Sequence, residues 1–439
     1  MVKNNVDFGK GLVDFGQKIE TSDYHLMSRR YKELIGSISS TENLELADMN
    51  ARRNKHYTAI KKFDEDRDMN LALLSVDLGC PEQFHTSSYK TFKIFEPKER
   101  LIFKLPYYPD RITHHAIMNV LKPIWTNQFV SRTYSCIENR GTIACAKRVK
   151  YDLKRDPEHT KYCLKLDIRK FYPSINHDIL KQIIRKKIKC KKTLSLLDEI
   201  IDSCPIGVPI GNYLSQYFAN LYLSDFDKWC LKHVKYYYRY ADDIVILHHD
   251  KQFLHNLFIA IKFYIHLNLD LEIKGNYQIY PVDSRGIDFV GYVFYHTHTL
   301  LRKSIKKNIE KLMNAQNKMS KKRFELKMKS YFGLLKICDS KHYLQKIEEK
   351  TGLHFSNFDG KPVSMRQFKN RRRTIRVIHL NKHRKYFTLE YIIGGKPYIL
   401  KSKNRRFYRY LYFCGQMQRQ LSEIEYERLT GWKTTDIRL

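Results

Sequence analysis

The 439-residue chain is predicted to be an α+β protein in which helices pack on one side of an antiparallel sheet. Short segments at 162–168, 234–239 and 244–247 are apolar and rich in β-branched and aromatic residues, which predicts strands. The segments 178–203 and 253–267 repeat apolar residues at helical spacing. Because helices alternate with strands, the pattern favours an antiparallel sheet with a helical layer.

Two adjacent carboxylates lie where the second and third predicted strands meet. Tyr240-Ala241-Asp242-Asp243 is a tight turn between strand-like flanks, so both acids are expected at the tip of a β-hairpin. Like charges at that range repel, and a nearby cation or protonation of one acid relieves the repulsion. A solvated turn is the ordinary alternative for an Asp-Asp pair, but a third acid upstream supports a cation site.

That third carboxylate, Asp167, ends the strand predicted at 162–168. Three carboxylates from two neighbouring strands match a two-metal phosphoryl-transfer centre, in which ions about 3.5–4 Å apart hold the attacking and leaving oxygens. Mg²⁺ bridged by carboxylates and substrate phosphates is the common arrangement. The sequence therefore predicts a site for two Mg²⁺ ions, with Mn²⁺ as an alternative ion.

These residues resemble the reverse transcriptases. Asp167 matches the first catalytic motif of that family, and residues 240–243 match its [YF]-x-D-D motif. The resemblance implies a right-hand polymerase fold with fingers, palm and helical thumb, and RNA-directed DNA synthesis. It implies as catalytic metal ligands Asp167, Asp242, Asp243 and the carbonyl of Ile168. It also implies that the ring of Tyr172 excludes a ribose 2′-hydroxyl and so selects deoxynucleotides.

Further motifs follow in the family's order between about residues 90 and 300. The residues that they imply for nucleotide binding are Lys98, Arg100, Arg111, Tyr172, Ile210, Gly211, Gln216 and Lys274. An arginine binds phosphate oxygens as a fork and a lysine as a point charge, although surface ion pairing is an equal alternative for each. Lys274 is implied to protonate pyrophosphate. Phe289, Gly291 and Tyr292 resemble the primer grip, a hairpin that holds the primer terminus.

The segment Gly207–Gln216 indicates which subfamily of reverse transcriptases the chain resembles. It carries Ile210-Gly211 and ends in Ser215-Gln216, where most bacterial reverse transcriptases have glutamine before the glycine and end in Ser-Pro. This form is typical of diversity-generating retroelements, whose enzymes copy a template repeat with errors concentrated at adenines. An aliphatic Ile210 cannot hydrogen-bond the nucleotide, and packing alone discriminates by only about 1–3 kcal/mol. Ile210 is therefore a candidate determinant of low fidelity.

Two other functions remain open. An antiviral defence reverse transcriptase would use the same catalytic residues on a different template. An RNA-binding protein of the group II intron maturase kind would use polymerase activity only secondarily. The sequence has no Cys/His nuclease motif and retains Ser215-Gln216, and both features argue against the maturase alternative.

The charge of the chain indicates a polyanionic partner. Eighty Lys and Arg residues against 46 Asp and Glu give a formal net charge of +34, which favours nucleic acid. We expect as partners an RNA template, a DNA or RNA primer and dNTPs, and the retroelement resemblance adds an accessory protein. No membrane partner is expected, because no run of 18 apolar residues occurs. Scattered cysteines without a C-x-x-C pair, and no signal peptide, predict a cytoplasmic protein.

Four regions are predicted along the chain. Residues 1–85 are expected to form a helical extension, 86–300 the fingers and palm, 301–355 a helical thumb, and 356–439 a basic β-rich module. From residue 301 onward, 35 Lys and Arg residues stand against 11 Asp and Glu. The C-terminal third therefore carries most of the net positive charge.

Overall fold

A computed structural model describes residues 30–55, 58–95 and 99–354, and the backbone of strands between 374 and 422. By the density of internal contacts the chain divides into two units. One comprises Met1–Lys311 with Gly333–Ser340, and the other Leu312–Phe332 with Lys341–Leu439. The division into extension, fingers and palm, thumb and C-terminal module stays a prediction.

The first unit opens with a helical layer that contains buried apolar side chains from each of its helices. Its helices are α1 (Ile35–Ser39), α2 (Thr41–Arg52), α3 (Thr58–Glu65) and α4 (Arg67–Gly79). The side chain of Ser40 caps α2 by accepting a hydrogen bond from the Asn43 backbone N–H. The buried carboxylate of Asp48 joins the layer, because Arg52, Arg67 and the Tyr107 hydroxyl all donate to it.

The other helices and strands of this unit alternate along the chain. The strands are β1 (Lys90–Phe95), β2 (Glu99–Lys104), β3 (Tyr162–Asp167), β4 (Tyr236–Tyr240), β5 (Asp243–His248), β6 (Gln278–Pro281), β7 (Ile287–Phe289), β8 (Tyr292–Phe294) and β9 (Thr299–Leu301). The helices are α5 (Ile112–Thr126), α6 (Thr142–Arg155), α7 (His177–Arg185), α8 (Lys191–Asp202), α9 (Tyr213–Tyr222), α10 (Ser224–His233), α11 (Lys251–Leu269) and α12 (Val282–Arg285). The predicted α+β class is confirmed.

The central sheet has the strand order β4-β5-β3-β6, with antiparallel neighbours throughout. Consecutive side chains of a strand point to opposite faces. On β3, Leu164 and Leu166 belong to the main hydrophobic core, whereas Lys165 and Asp167 alternate with them on the other face. The apolar face thus packs under helices and the polar face carries the charged residues.

At the edge strand β4, helices cover both faces of the sheet, in contrast to the single covered face expected from the sequence. The Tyr237 hydroxyl donates to Asp227 of α10 at 2.6 Å, and the next hydroxyl along the strand, of Tyr238, donates to Asp152 of α6 at 2.6 Å. Neighbouring tyrosines point to opposite faces. Helix α6 therefore lies on the same face of the sheet as the charged residues.

The hairpin between β4 and β5 is fixed by a fully buried ion pair. The guanidinium of Arg239 binds both oxygens of Asp227, at 2.7 and 2.6 Å, and neither side chain is exposed to solvent. The same guanidinium donates to the carbonyl of Ala241 at 3.0 Å and to the side chain of Asn220 at 3.2 Å. One buried cation thus connects the hairpin turn to the helices α9 and α10.

Two smaller sheets flank the central one in chain order. Strands β1 and β2 form an antiparallel hairpin, and β7, β8 and β9 form an antiparallel sheet. The turn between β7 and β8 consists of Val290 and Gly291, both with positive φ (42° and 93°). Two residues of positive φ match the twist of a two-residue hairpin.

Residues 303–351 are mainly helical, as the sequence predicts, in α13 (Lys303–Asn314), α14 (Lys321–Leu335) and α15 (Lys341–Thr351). The strands β10 (Thr374–Lys382), β11 (Phe387–Ile393), β12 (Lys396–Ser402) and β13 (Leu421–Ser422) follow. They form an antiparallel sheet in the order β12-β11-β10-β13. None of the described helices is both long and apolar enough to cross a membrane.

The buried ion pair yields a prediction for stability. Arg239→Met should lower the free energy of unfolding by about 3–5 kcal/mol, because it leaves the carboxylate of Asp227 buried without its cation. Urea denaturation measures the change. The matched control is Lys186→Met, which removes the lysine of an exposed pair with Asp225 and should cost less than about 1 kcal/mol. Equal, small losses in both variants would contradict the role given to Arg239.

Candidate active site

Three carboxylates converge at one end of the central sheet. Asp167, the last residue of β3, pairs directly with Asp243, the first residue of β5. Asp242 lies in the two-residue turn that precedes β5, next to Ala241, whose φ is +56°. A non-glycine residue in the left-handed region is strained, and such strain concentrates at functional sites. The three sequence-predicted acids are therefore brought together.

Burial and mutual repulsion raise the pKa values of two of these acids, Asp242 and Asp243. Burial, opposed by Lys165 and supported by the two other carboxylates, raises the pKa of Asp243 to about 6. Burial and the adjacent Asp167 also raise the pKa of Asp242. Oxygen Oδ1 of Asp243 is buried without a hydrogen-bond partner among the described residues. The site therefore holds more negative charge than its own groups neutralise.

Two lysines partly offset this charge. Nζ of Lys274 lies 2.6 Å from a carboxylate oxygen of Asp167, and Nζ of Lys165 lies 3.8 Å from Asp243. The backbone N–H of Lys274 also donates to the Asp167 carbonyl at 2.9 Å. The sequence assigned Lys274 to pyrophosphate protonation, and the structure places it beside Asp167. Its role in proton transfer stays a prediction.

Ile168 is oriented by the strand pairing on either side of it. The Lys274 N–H donates to the Asp167 carbonyl and the Arg169 N–H donates to Glu272, whereas the Ile168 N–H points to the Asp242 carbonyl at 3.4 Å. In extended backbone the N–H and C=O of one residue point to the same side. The carbonyl of Ile168 is thus directed to the side of the sheet where Asp242 lies, as a backbone ligand would require.

Tyr172 lies within electrostatic range of the carboxylates. It opens a short 3₁₀ turn, Tyr172–Ser174, and its side chain is half-buried. Burial and the neighbouring Asp242 raise the pKa of its hydroxyl, while Arg100 opposes the shift. The roles of Tyr172 as a steric gate and of Arg100 as a phosphate ligand stay predictions.

Two glycines allow the segment 207–211 to pass between neighbouring backbones. A Cβ at Gly207 (φ +61°) would lie 2.3 Å from the Tyr172 carbonyl oxygen, and one at Gly211 (φ +122°) would lie 2.5 Å from that of Phe103. The Phe103 N–H also donates to the Ile210 carbonyl at 2.8 Å. The close approach that the structure shows is between protein backbones, which only glycine allows. The nucleotide-binding role of Gly211 stays a prediction.

The remaining residues that are predicted to bind the nucleotide differ in exposure and in surroundings. Ile210 is half-buried and Gln216 is exposed on α9. Arg111 lies beside Lys55 and His115, where burial and the Arg111 charge lower the pKa of His115 to about 4. Among the described residues, Arg111 forms no ion pair with the three acids, and its role in nucleotide binding stays a prediction. Lys98 lies outside the described residues.

The predicted primer grip forms a hairpin, but its aromatic rings face inward. Phe289 and Tyr292 are fully buried, and the Tyr292 hydroxyl donates to the Leu334 carbonyl at 3.0 Å. A Cβ at Gly291 would lie 3.0 Å from a methyl carbon of Ile305. The two rings therefore pack in the core, and the role of this hairpin as a primer grip stays a prediction.

A cavity of about 430 Å³ separates the carboxylates from this hairpin. Asp167 and Asp243 line one side and Gly286, Asp288 and Val293 line the other. Lys165 spans it, because its Nζ donates to the Asp288 carbonyl and also faces Asp243. Lys165 is not among the site residues that the sequence predicts. Its position two residues before Asp167 on the same face of β3 was the signal available.

One segment of the chain matches a known protein family. Residues 96–274 match the family model for reverse transcriptase (RNA-dependent DNA polymerase). They form a reverse transcriptase domain. The match spans both strands that carry the three acids, and the predicted right-hand polymerase fold is confirmed.

One protein and two solved structures are similar to parts of this chain. The protein YkfC of Escherichia coli K12 is 24% identical over 136 residues, which are 28% of this chain and 36% of that protein. The truncated telomerase of Candida tropicalis has a TM-score of 0.37 at 15% identity, over 46% of this chain and 52% of that chain. A partial Cas6-RT-Cas1–Cas2 complex has a TM-score of 0.29 at 20% identity, over 54% of this chain and 43% of that chain.

Reverse transcriptase domains use divalent metal ions, and the residues here fit that requirement. Within the described residues, no three Asp, Glu, His or Cys side chains form a closed cluster that could hold an ion alone. Mg²⁺ is usually held by one or two carboxylates together with substrate phosphates and water. The unpartnered Oδ1 of Asp243 and the raised pKa values of Asp242 and Asp243 supply the oxygen and the uncompensated charge that such an ion needs.

The raised pKa of Asp243 predicts that the free energy of unfolding of the metal-free protein falls as the pH rises. An acid with a pKa of about 6 in the folded state and about 3.9 in the unfolded state favours folding when protonated, and this contribution is lost as the pH rises through 6. In EDTA, Asp243→Asn should therefore gain stability relative to wild type between pH 4.5 and pH 7.5. Urea midpoints measure this gap. The control is Asp68, which is 95% exposed. The difference in urea midpoint between Asp68→Asn and wild type should stay constant over this pH range.

Proposed function

We propose that this chain is an RNA-directed DNA polymerase that copies an RNA template into cDNA by two-metal nucleotidyl transfer. The observation that carries the proposal is the direct pairing of Asp167 with Asp243, beside Asp242 in the hairpin turn. This geometry lies inside a domain of the reverse transcriptase family. The substrates would be an RNA template, a DNA or RNA primer and dNTPs.

The three acids and the Ile168 carbonyl would hold the metal ions, for which we propose Mg²⁺. When bound, the ions would lower the pKa of the primer 3′-hydroxyl and stabilise the departing pyrophosphate. The protein orients these ligands through β3 and the buried Arg239, which fixes the Ala241 carbonyl. Rigid ligands matter because misplaced groups lose much of the advantage of proximity.

The other residues would position the nucleotide. The ring of Tyr172 would exclude a ribose 2′-hydroxyl by steric clash. The backbone that carries this ring is held in place by the hydrogen bond from the Val208 N–H to the Tyr172 carbonyl at 3.0 Å. Arg100, exposed on β2, would bind the triphosphate through a forked contact. Lys274 would keep a proton donor beside Asp167.

Primer extension tests the activity. On a defined RNA template with Mg²⁺ and four dNTPs, the wild-type chain should synthesise cDNA, and Asp242→Asn or Asp243→Asn should reduce synthesis to background because each removes a metal ligand. Asp68→Asn is the matched control, with its carboxylate 95% exposed, and should extend like wild type. Extension by either active-site variant at the wild-type rate would contradict the proposal.

We also propose that the enzyme belongs to a diversity-generating retroelement. The support is the sequence Ile210-Gly211 with Ser215-Gln216, on a segment that the structure positions against β2. Such an element would supply a template repeat, and an accessory protein would bind the enzyme. Faithful cDNA would favour the antiviral or maturase alternatives.

The fidelity of this proposed enzyme depends on Ile210. Ile210→Gln should lower the error rate at template adenines about tenfold, because a side chain that hydrogen-bonds the nucleotide adds discrimination beyond the 1–3 kcal/mol of packing. Sequencing of cDNA products measures the rate. Ile206→Gln is the matched control in the same loop, at a position 71% exposed, and should change nothing. An unchanged adenine error rate in Ile210→Gln would end this assignment.

A further inference from the structure

Helix α6 has two faces of different character. One face packs into the protein through the buried residues Cys145, Ala146, Val149, Asp152 and Leu153. The opposite face carries the exposed side chains Lys147, Tyr151, Lys154 and Arg155. At 100° per residue these four exposed positions fall on one side of the helix. Burial of the first face thus fixes the orientation of the second.

The exposed face of α6 forms one wall of a groove of about 360 Å³. We call it the α6 groove, and its lining residues are Lys147, Lys150, Tyr151, Lys154, Arg155, Lys336 and Ile337. Every charged residue in this lining is basic. A concave surface lined by charge of one sign concentrates counter-ions and polyanions.

Three of these cations are available to a ligand. Lys150 donates to the Ile337 carbonyl at 2.9 Å and to the Asp339 carboxylate at 3.2 Å, so its charge is already paired. Lys147, Lys154 and Arg155, in contrast, have no carboxylate within salt-bridge distance among the described residues. Their charges are therefore uncompensated by the protein around them.

Tyr151 adds an aromatic surface between these cations. It is 48% exposed, and the guanidinium carbons of Arg148 and Arg155 lie 5.6 and 5.7 Å from its ring centroid. Arg155 also donates to the Tyr151 hydroxyl, which holds the ring in place. An exposed, oriented ring flanked by cations is the arrangement on which single-stranded nucleic acids stack their bases.

We propose that the α6 groove binds single-stranded nucleic acid, with its phosphates on Lys147, Lys154 and Arg155 and one base on Tyr151. The inference rests on the proposed function, because a polymerase that copies RNA has single-stranded template and product to hold. Helix α6 packs on the face of the sheet that carries Asp167. The groove would be a binding site additional to the carboxylate centre.

Fluorescence anisotropy with a labelled 12-nucleotide oligouridine and its DNA counterpart tests the proposal on the full chain. Lys147→Gln with Lys154→Gln should weaken binding about tenfold and lower the slope of log affinity against log salt by about 1.4, the value for two phosphate contacts to a single strand. Tyr151→Leu should also weaken binding about tenfold, whereas Tyr151→Phe should keep most of the affinity, because it keeps the stacking ring and loses only the contact of the hydroxyl with Arg155. Lys262→Gln, at an exposed position on α11, is the control and should change nothing.

A second measurement locates the bound strand. Photocrosslinking with 5-iodouridine RNA should label the peptide that contains Tyr151. Stronger binding of RNA than DNA would support the template as the natural ligand, and equal binding would support single strands of either kind. Unchanged affinity and salt slope in the lysine variant, or an equal loss in Lys262→Gln, would overturn the proposal.

Failure of this inference can be distinguished from failure of the proposed function. Asp242→Asn should abolish extension and keep oligonucleotide binding. If the wild-type chain fails to extend any primer but the groove variants still lose affinity, the polymerase proposal is wrong and the groove proposal is supported. If extension succeeds and the groove variants bind like wild type, the groove proposal is wrong.

Discussion

The ion pair between Arg239 and Asp227 is the interaction on which the site geometry depends. It is fully buried, and its guanidinium also binds the carbonyl of Ala241 in the turn that carries Asp242. Removing two charges from water is costly and is offset only when every partner is present. Here Tyr237 and Thr133 complete the contacts of Asp227. The hairpin therefore has one well-defined position against α10.

The repulsion between the three acids is the second constraint. The protein neutralises them only partly, with Lys274 against Asp167 and Lys165 against Asp243. The same Lys165 reaches the Asp288 carbonyl across the cavity, so the charge balance of the acids also ties them to the β7–β8 hairpin. A site that is electrostatically unfavourable when empty gains more from a bound cation.

The sequence predicted the strands, their acids and the fold class because these follow from local pattern: apolar runs, a tight turn and family motifs. It could not predict contacts that form between distant segments. Arg239 was assigned only to a strand, and nothing local shows that Asp227 would bury it. The inward orientation of Phe289 and Tyr292 and the need for glycine at Gly211 likewise depend on packing against remote backbone.

Electron paramagnetic resonance of Mn²⁺, titrated into the chain with template, primer and a non-hydrolysable dNTP, tests whether the three carboxylates bind the metal ions. Wild type should bind Mn²⁺ tightly, and Asp243→Asn should lose the tight binding, because Asp243 supplies a buried oxygen without another partner among the described residues. Asp68→Asn should bind like wild type. Equal stoichiometry and affinity in Asp243→Asn would show that these carboxylates are not the metal centre.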